Sequence, residues 1–189
     1  MFKKWFSRNK NLLLLLFLFA VSIAMRLPNL NKSLARHHEW LSAHVLVTET
    51  AWNKASISEY YFSPVYKYGE DITLQADFFS VVKDKNANTY YVSYPPFCFI
   101  APYLFFKLFC LTPSFFGLQI FSLLIQLFTA LILVSLIYKV KQKNMREDIY
   151  VPALGAFAVY VFSTANLWFC CNVYFADMLG QLFLQVQFI

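Results

Sequence analysis

The sequence predicts an all-α polytopic membrane protein with a long first loop outside the cytoplasm. Of its 189 residues, 59% are hydrophobic and 20% are aromatic, but only 14% are charged. A typical soluble domain is about 45–50% apolar and about 25% charged, so these few charges could hardly cover a soluble surface. The hydrophobicity also excludes a disordered chain, which needs high charge and few apolar residues.

The net charge of +6 is distributed unevenly and predicts an orientation. Residues 1–10 contain four basic residues and no acid, and residues 139–148 contain four basic and two acidic residues. The long stretch between them, residues 28–112, has seven of each. Short loops rich in Lys and Arg stay cytoplasmic. We therefore expect a multi-pass protein of the cell's inner (plasma) membrane, with its N-terminus and the basic loop 139–150 inside and the loop 28–113 outside. A nucleic-acid partner is not expected, because the basic residues flank apolar runs instead of forming one patch.

Apolar runs of about 20 residues can cross a bilayer. Transmembrane helices are predicted at 11–27, 114–138 and 151–171, followed by a short outer loop at 172–177 and the start of a further helix at 178–189. Arg26, at the outer end of the first helix, is expected to extend to the membrane interface. The alternative for this helix is a cleaved signal peptide. Its candidate cleavage site, the small residues Ser33 and Ala35, lies further beyond the apolar run than signal peptides usually allow, so an uncleaved anchor is favoured.

Residues 97–111 are predicted to lie along the outer interface or to enter the membrane and return. The segment is short, with Pro102 in its first turns and Lys107 inside it. Two cytoplasmic segments must be separated by an even number of crossings, and 11–27 and 114–138 already supply two. A proline and one lysine do not exclude a crossing, so this alternative stays open.

The outer loop is predicted to begin with an interfacial helix over residues 35–52. Leu41, Val45, Thr48 and Trp52 repeat there at steps of three and four residues. The rest of the loop is predicted as a turn-rich aromatic segment at 53–67, a short helix or strand at 71–82 and an extended segment at 89–94.

All three histidines, His37, His38 and His44, lie close together around Glu39. His and Glu are common metal ligands, and His suits acid–base chemistry near neutral pH. On a helix, His37 and His44 would lie about 10 Å apart with Glu39 on nearly the opposite side, so one ion could not easily bind all of them. A divalent metal ion, a catalytic or substrate-binding Glu39 and plain interfacial polar residues are all left open.

The remaining composition excludes several other sites. The four cysteines have no zinc-like spacing and lie in apolar segments, so they are predicted to be buried small hydrophobic residues. With only four glycines, the chain has no Gly-rich phosphate loop, and a soluble nucleotide-binding fold is unsupported. Asp177 is predicted where the third span reaches the outer face, and ionisable residues near membrane depth are functional candidates.

The features also follow a recognisable order along the chain. An acidic residue, Glu39, precedes the first outer helix. The run Tyr90-Tyr-Val-Ser-Tyr-Pro-Pro-Phe97 then leads into a segment that ends in Phe106-Lys-Leu-Phe109, and a long span with a basic exit and Asp177 follow. This order resembles the N-terminal part of the GT-C membrane glycosyltransferases, in particular the branch with protein O-mannosyltransferases and lipid A aminoarabinose transferases. The likeness extends over essentially the whole chain, although its motifs are short.

The resemblance implies GT-C-like transmembrane helices, an extracytoplasmic reaction, and a lipid-linked (polyprenyl-phosphate) sugar donor together with membrane lipid as partners. Glu39 matches the acid that acts in the family as catalytic base or positions the acceptor. His38 stands where an Asp often precedes that acid and would share the proton transfer. Pro95 and Pro96 match the Pro-Pro that begins a juxtamembrane helix, and Asp177 matches the acid of the second outer loop; all three are candidates for substrate binding.

Three positions depart from the family pattern. Tyr94 replaces a frequent basic residue, Cys110 replaces a common Gly, and Gln119 stands where an Arg is frequent. Tyr94 and His44 are nevertheless candidates for substrate binding. The donor phosphate needs a basic partner, for which Arg36 is a candidate.

The length of the family members predicts that this chain is the front part of a larger enzyme and is inactive alone. Two other functions remain open: a transporter or channel whose outer aromatic loop binds a ligand, and a non-catalytic truncated remnant. A transporter predicts ionisable residues or broken helices within its spans, for which Gly155 and Asn166 are the visible positions.

Overall fold

The computed structural model describes residues 10–32, 39–67, 81–91, 94–142, 150–169, 174 and 176–188. The elements in chain order are α1 (Lys10–Arg26), α2 (Trp40–Lys54), β1 (Val65–Lys67), β2 (Val81–Lys83), β3 (Thr89–Tyr91), α3 (Phe97–Leu108), α4 (Phe115–Gln142), α5 (Tyr150–Phe162), a π-helical turn (Ala165–Phe169) and α6 (Ala176–Val186). They form two compact units, a terminal unit (Met1–Leu30 and Ser122–Ile189) and a central unit (Asn31–Phe121), and α4 runs from one into the other.

Two helical segments, Lys10–Asn29 and Phe115–Val140, could cross a bilayer by length and composition. Their mean hydropathies are 2.0 and 2.6, which reflects long runs of Leu, Ile, Phe and Val. The apolar helices α3 and α5 are shorter. The chain is thus mostly helical with two candidate membrane-spanning helices.

The third predicted span is not one continuous helix. α5 ends at Phe162, and the chain continues through Ser163 into the π-helical turn at Ala165–Phe169. Gly155 has open space around its Cα and lies within α5, so it does not cause this interruption. Polar side chains do, because Ser163 and Asn166 both bond to the backbone carbonyl of Tyr160, and such bonds compete with helical pairing.

In the terminal unit, α1 and α5 pack against each other, each along one helix face. Buried residues of α1 recur at steps of three and four residues, which is the spacing of one helix face: Leu15, Phe19, Ser22 and Arg26. α5 contributes Ala153, Phe157 and Val161 at the same kind of spacing. The expectation that Arg26 extends to the interface is wrong, because its side chain is only 1% exposed and turns inward to contact other helices.

A small antiparallel sheet in the central unit shows that the all-α prediction was incomplete. Its strand order is β1-β3-β2, with Val65 opposite Tyr90 and Val81 opposite Tyr91. Each strand has three residues, too few for a period-two pattern to show in the sequence. The extended segment around Thr89–Tyr91 was predicted as such, and for residues 71–82, which overlap β2, a short helix and a strand were both left open.

Helix α2 holds this sheet by its buried face. The Thr48 hydroxyl donates to the carbonyl oxygen of Val65 at 3.0 Å and accepts the Val65 N–H at 3.1 Å. One side chain therefore satisfies both backbone groups of a fully buried strand residue, which would otherwise be costly to bury. The buried residues of α2 cover about half of its circumference: Leu41, Ser42, His44, Val45, Thr48, Glu49, Ala51 and Trp52.

Helix α3 is apolar on two sides. Phe99, Pro102 and Phe106 are buried in the central unit, whereas Leu104 and Leu108 are 57% and 77% exposed. The cysteine prediction was wrong for Cys110, which is exposed, and Cys98 is only half-buried. Cys110 follows the end of α3 with a positive φ of 51°, and the turn there leaves its side chain outside the packing.

Candidate functional site

The candidate site begins at the N-terminus of α2, where Glu39 directly precedes the helix. Glu39 is half-buried, and its carbonyl oxygen accepts the N–H of Ala43 at 3.0 Å. Its side chain does not cap the helix. The next residue, Trp40, is 50% exposed. A carboxylate and a large exposed ring are therefore neighbours at one end of the helix.

Trp40 belongs to a cluster of three aromatic rings that come from two separate parts of the sequence. Its ring centroid lies 5.9 Å from that of Tyr91 and 6.2 Å from that of Tyr94, and the two tyrosine rings are 5.7 Å apart. These separations are typical of favourable aromatic contacts. We call Trp40, Tyr91 and Tyr94 the aromatic cluster.

The sheet explains how Tyr91 reaches this cluster. Successive strand residues point to opposite sides, so Tyr90 and Tyr91 diverge at the end of β3. The Tyr90 hydroxyl donates to Asp84 at 2.7 Å, whereas the Tyr91 ring packs on Trp40. The N–H of Tyr91 also bonds to the carbonyl of Pro64 at 3.0 Å. The position of Tyr91 is thus fixed by the backbone.

His44 lies behind the aromatic cluster and not at its surface. It is 3% exposed, and its ring stacks on Trp40 at 6.1 Å with an interplanar angle of 15°. The rings of Tyr66, Tyr91 and Phe99 surround it at 5.5, 5.1 and 5.1 Å. Burial lowers the pKa of His44 to about 4, and the backbone of Val65 opposes that shift in part. His44 is therefore neutral at pH 7 and supports the inner face of Trp40.

The Pro-Pro pair lies directly after the aromatic cluster. Pro95 and Pro96 are exposed, and their carbonyl oxygens accept the first N–H groups of α3, from Cys98 at 3.1 Å and from Phe99 at 2.9 Å. Proline suits this place because its fixed φ matches a helix and its missing N–H would have no partner there. Tyr94 thus joins the aromatic cluster to the start of α3.

The other predicted site residues are Asp177, His38 and Arg36. Asp177 is exposed in the first turn of α6 and belongs to the terminal unit. His38 and Arg36 lie outside the described residues. Within the described part of the chain, no group of three or more His, Cys, Asp or Glu side chains could hold a metal ion.

Sequence reasoning missed Glu49, a fully buried acid on α2. It is 0% exposed, and among the residues that the structure describes neither of its carboxylate oxygens has a hydrogen-bond partner. Burial raises its pKa to about 9, so the group is protonated and neutral at pH 7. A signal was present, because position 49 lies between Val45 and Trp52 on the apolar face at helical spacing.

Comparisons with protein-family models, curated proteins and solved structures found no match.

Proposed function

We propose that this chain is the N-terminal part of a membrane glycosyltransferase that uses a polyprenyl-phosphate sugar outside the cytoplasm. The observation that carries the proposal is the contact between Trp40 and Tyr94, whose ring centroids are 6.2 Å apart. Trp40 directly follows Glu39, and Tyr94 directly precedes Pro95 and Pro96. The residues next to two motifs of the family resemblance, more than fifty residues apart in the sequence, are therefore in contact.

The aromatic cluster suits the sugar of such a donor. The C–H face of a pyranose packs well on an indole or phenol ring, and a half-exposed Trp offers apolar area with a polar N–H at its edge. His44 stacks on Trp40, and Trp40 is still 50% exposed, so part of its ring is accessible to a ligand. The adjacent Glu39 is half-buried and reaches the same end of the helix.

In the proposed reaction Glu39 acts as general base. The acceptor hydroxyl attacks the anomeric carbon, the bond from that carbon to the phosphate oxygen breaks, and its electron pair leaves with the lipid phosphate. The acceptor proton passes to the Glu39 carboxylate. A positioned base of this kind contributes about 10²–10⁴-fold to a rate. His38 and Asp177 remain proposed partners in proton transfer and substrate binding, with Arg36 near the phosphate.

The proposal includes a topology in which the lipid tail of the donor remains in the bilayer. α1 and α4 span the membrane, both basic segments are cytoplasmic, and the exposed apolar side of α3 lies at the outer interface. Accessibility tags at Asn86 and Asn144 test this arrangement. We expect the two tags to react from opposite sides of the membrane, whereas reaction from the same side would contradict it.

The catalytic assignment is tested by Glu39→Gln in the full-length protein, assayed in membranes for transfer from polyprenyl-phosphate mannose and polyprenyl-phosphate aminoarabinose. We expect transfer to fall at least about 100-fold, because the amide cannot accept the proton, with unchanged protein levels. Glu59→Gln is the matched control, since Glu59 is an exposed acid of the same unit. Equal transfer by wild type and Glu39→Gln would refute the role of Glu39. Transfer by neither the wild type nor Glu59→Gln would refute the proposed donor class.

One observation favours a transporter as the second candidate. The helix interruption after Phe162 lies against the buried cation Arg26, and charged residues beside broken helices mark many transport sites. Uptake measured with the full-length protein in vesicles would distinguish the two functions, because a transporter should move a solute without any sugar transfer.

A further inference from the structure

The guanidinium of Arg26 contacts the backbone on both sides of the interruption between α5 and the π-helical turn. Its Nη2 donates to the backbone carbonyl oxygens of Val161 at 3.4 Å and Asn166 at 3.1 Å. Val161 is in the last turn of α5, and Asn166 is in the π-helical turn. One guanidinium group thus joins both sides of the interruption.

The same guanidinium is tied to two other helices. Nη1 donates to the hydroxyl of Ser22, one turn earlier on α1, and Nη2 donates to Oε1 of Gln126 on α4 at 2.9 Å. Arg26 is 1% exposed, and Ser22 and Gln126 are 0% and 2% exposed. Because Arg presents five N–H donors in a rigid fork, it can serve several acceptors at once in a way that Lys cannot.

The interruption needs donors of this kind. Where the winding changes, carbonyl oxygens lose their helical N–H partners, and an unsatisfied backbone group is costly in an apolar surrounding. Ser163 and Asn166 supply local bonds to the carbonyl of Tyr160. These bonds do not serve the carbonyls of Val161 and Asn166, which accept from Arg26.

We infer that Arg26 acts as a latch. Its guanidinium keeps the junction between α5 and the π-helical turn packed against α1. This is a conformational role that an interfacial arginine would not have: without the guanidinium, the α5–π junction loses its tertiary donors and opens, while the rest of the terminal unit stays folded.

The test measures amide hydrogen exchange on the full chain in nanodiscs, in wild type and in Arg26→Met, Arg26→Lys and Ser135→Ala. The reporters are the amides of Asn166 and Leu167, which bond to Oγ and O of Ser163 at 3.3 and 2.8 Å. We expect at least tenfold faster exchange at both amides in Arg26→Met and an intermediate increase in Arg26→Lys. Ser135→Ala is the matched control, because its exposed hydroxyl bonds only within its own helix, to Leu131.

Two results would overturn the latch. Unchanged exchange at Asn166 and Leu167 in Arg26→Met would show that the interruption is held by its local bonds alone. Equal acceleration throughout α1, α4 and α5 would show that Arg26 supports the whole unit and not the junction.

Gln126→Glu is a second test of the latch, which does not require Arg26→Met to accumulate. The new carboxylate would replace an amide oxygen that already accepts from Arg26 at 2.9 Å, and it would add a charge–charge attraction to the guanidinium, which is strong in a low-dielectric interior. We expect at least threefold slower exchange at Asn166 and Leu167, because the guanidinium is held more firmly. Unchanged or faster exchange would contradict the latch.

Discussion

Replacing Glu49 by Gln should remove a large part of the pH dependence of stability. The carboxyl group is 0% exposed, and burial raises its pKa from the usual 4.5 to about 9. The unfolded chain therefore releases this proton near pH 4.5, whereas the folded chain keeps it up to about pH 9. The contribution of this proton to the free energy of unfolding is fully present below pH 4.5 and is lost as the pH rises towards 9.

The magnitude follows from proton linkage. When one more proton is bound in the folded state, the free energy of unfolding falls by about 1.4 kcal/mol per pH unit. Between about pH 7 and 8.5 this gives a loss of about 2 kcal/mol for the wild type. Gln has nearly the same shape and no proton to release, so the Glu49→Gln variant should lack this slope and be the more stable of the two across the window.

The assay is denaturant unfolding of the full chain in detergent at several pH values in that window. Trp40 and Trp52, both on α2, serve as fluorescent reporters after Trp5 and Trp168 are replaced by Phe. Glu59→Gln is the control, because that acid is exposed and its loss should leave the slope of the parent chain. Parallel curves for the parent and Glu49→Gln would refute the reasoning, since they would mean that the two states bind the same number of protons at position 49.

Three further changes test the packing of the central unit. The pKa of His44 is lowered from 6.5 to about 4, so the free energy of unfolding should fall by up to about 3 kcal/mol as the pH falls from 6.5 to 4. His44→Phe should abolish this loss of stability in acid in the same denaturation assay. Thr48→Val should lower the free energy of unfolding by about 1–3 kcal/mol, because the buried N–H and carbonyl of Val65 both lose their partner. Thr48→Ser keeps the hydroxyl and should not have this effect. Equal losses in the two variants would contradict the role of the hydroxyl. Gly117→Ala should destabilise by about 1–3 kcal/mol, since its Cβ would lie 2.5 Å from the Phe106 ring. The helical control Gly155→Ala has open space and should be neutral or stabilising in thermal unfolding.

The helices were predictable because their signals are local. Long runs of apolar residues predict the helices that became α1 and α4, and the repeat of Leu41, Val45, Thr48 and Trp52 predicts α2 whatever lies around them. The sheet was not predictable in the same way. Strands of three residues contain too little pattern, and β1 depends on Thr48, a residue of a helix, to satisfy its backbone at Val65.

Polar residues in apolar segments are where sequence reasoning failed, and the reason is physical. An Arg at the end of an apolar helix can turn outward to the interface or inward to acceptors, and the choice depends on whether other helices present those acceptors. For Arg26 they lie 100 and more residues away, on Gln126, Val161 and Asn166. Glu49 is the same problem with the opposite outcome, since no described residue offers its carboxylate a partner, and the acid accommodates burial by keeping its proton.

The candidate site lies between these two cases. Glu39 and Pro95-Pro96 could be singled out from the sequence, but the contact between their neighbours Trp40 and Tyr94 could not. Those rings meet because α2 carries Trp40 one turn before His44, and His44 is enclosed by aromatic rings from β1, β3 and α3. The neutral, buried His44 is therefore a positioning residue for the surface of the aromatic cluster. Protonation of His44 places a charge among these rings, so we expect it to disturb the Trp40–Tyr94 contact.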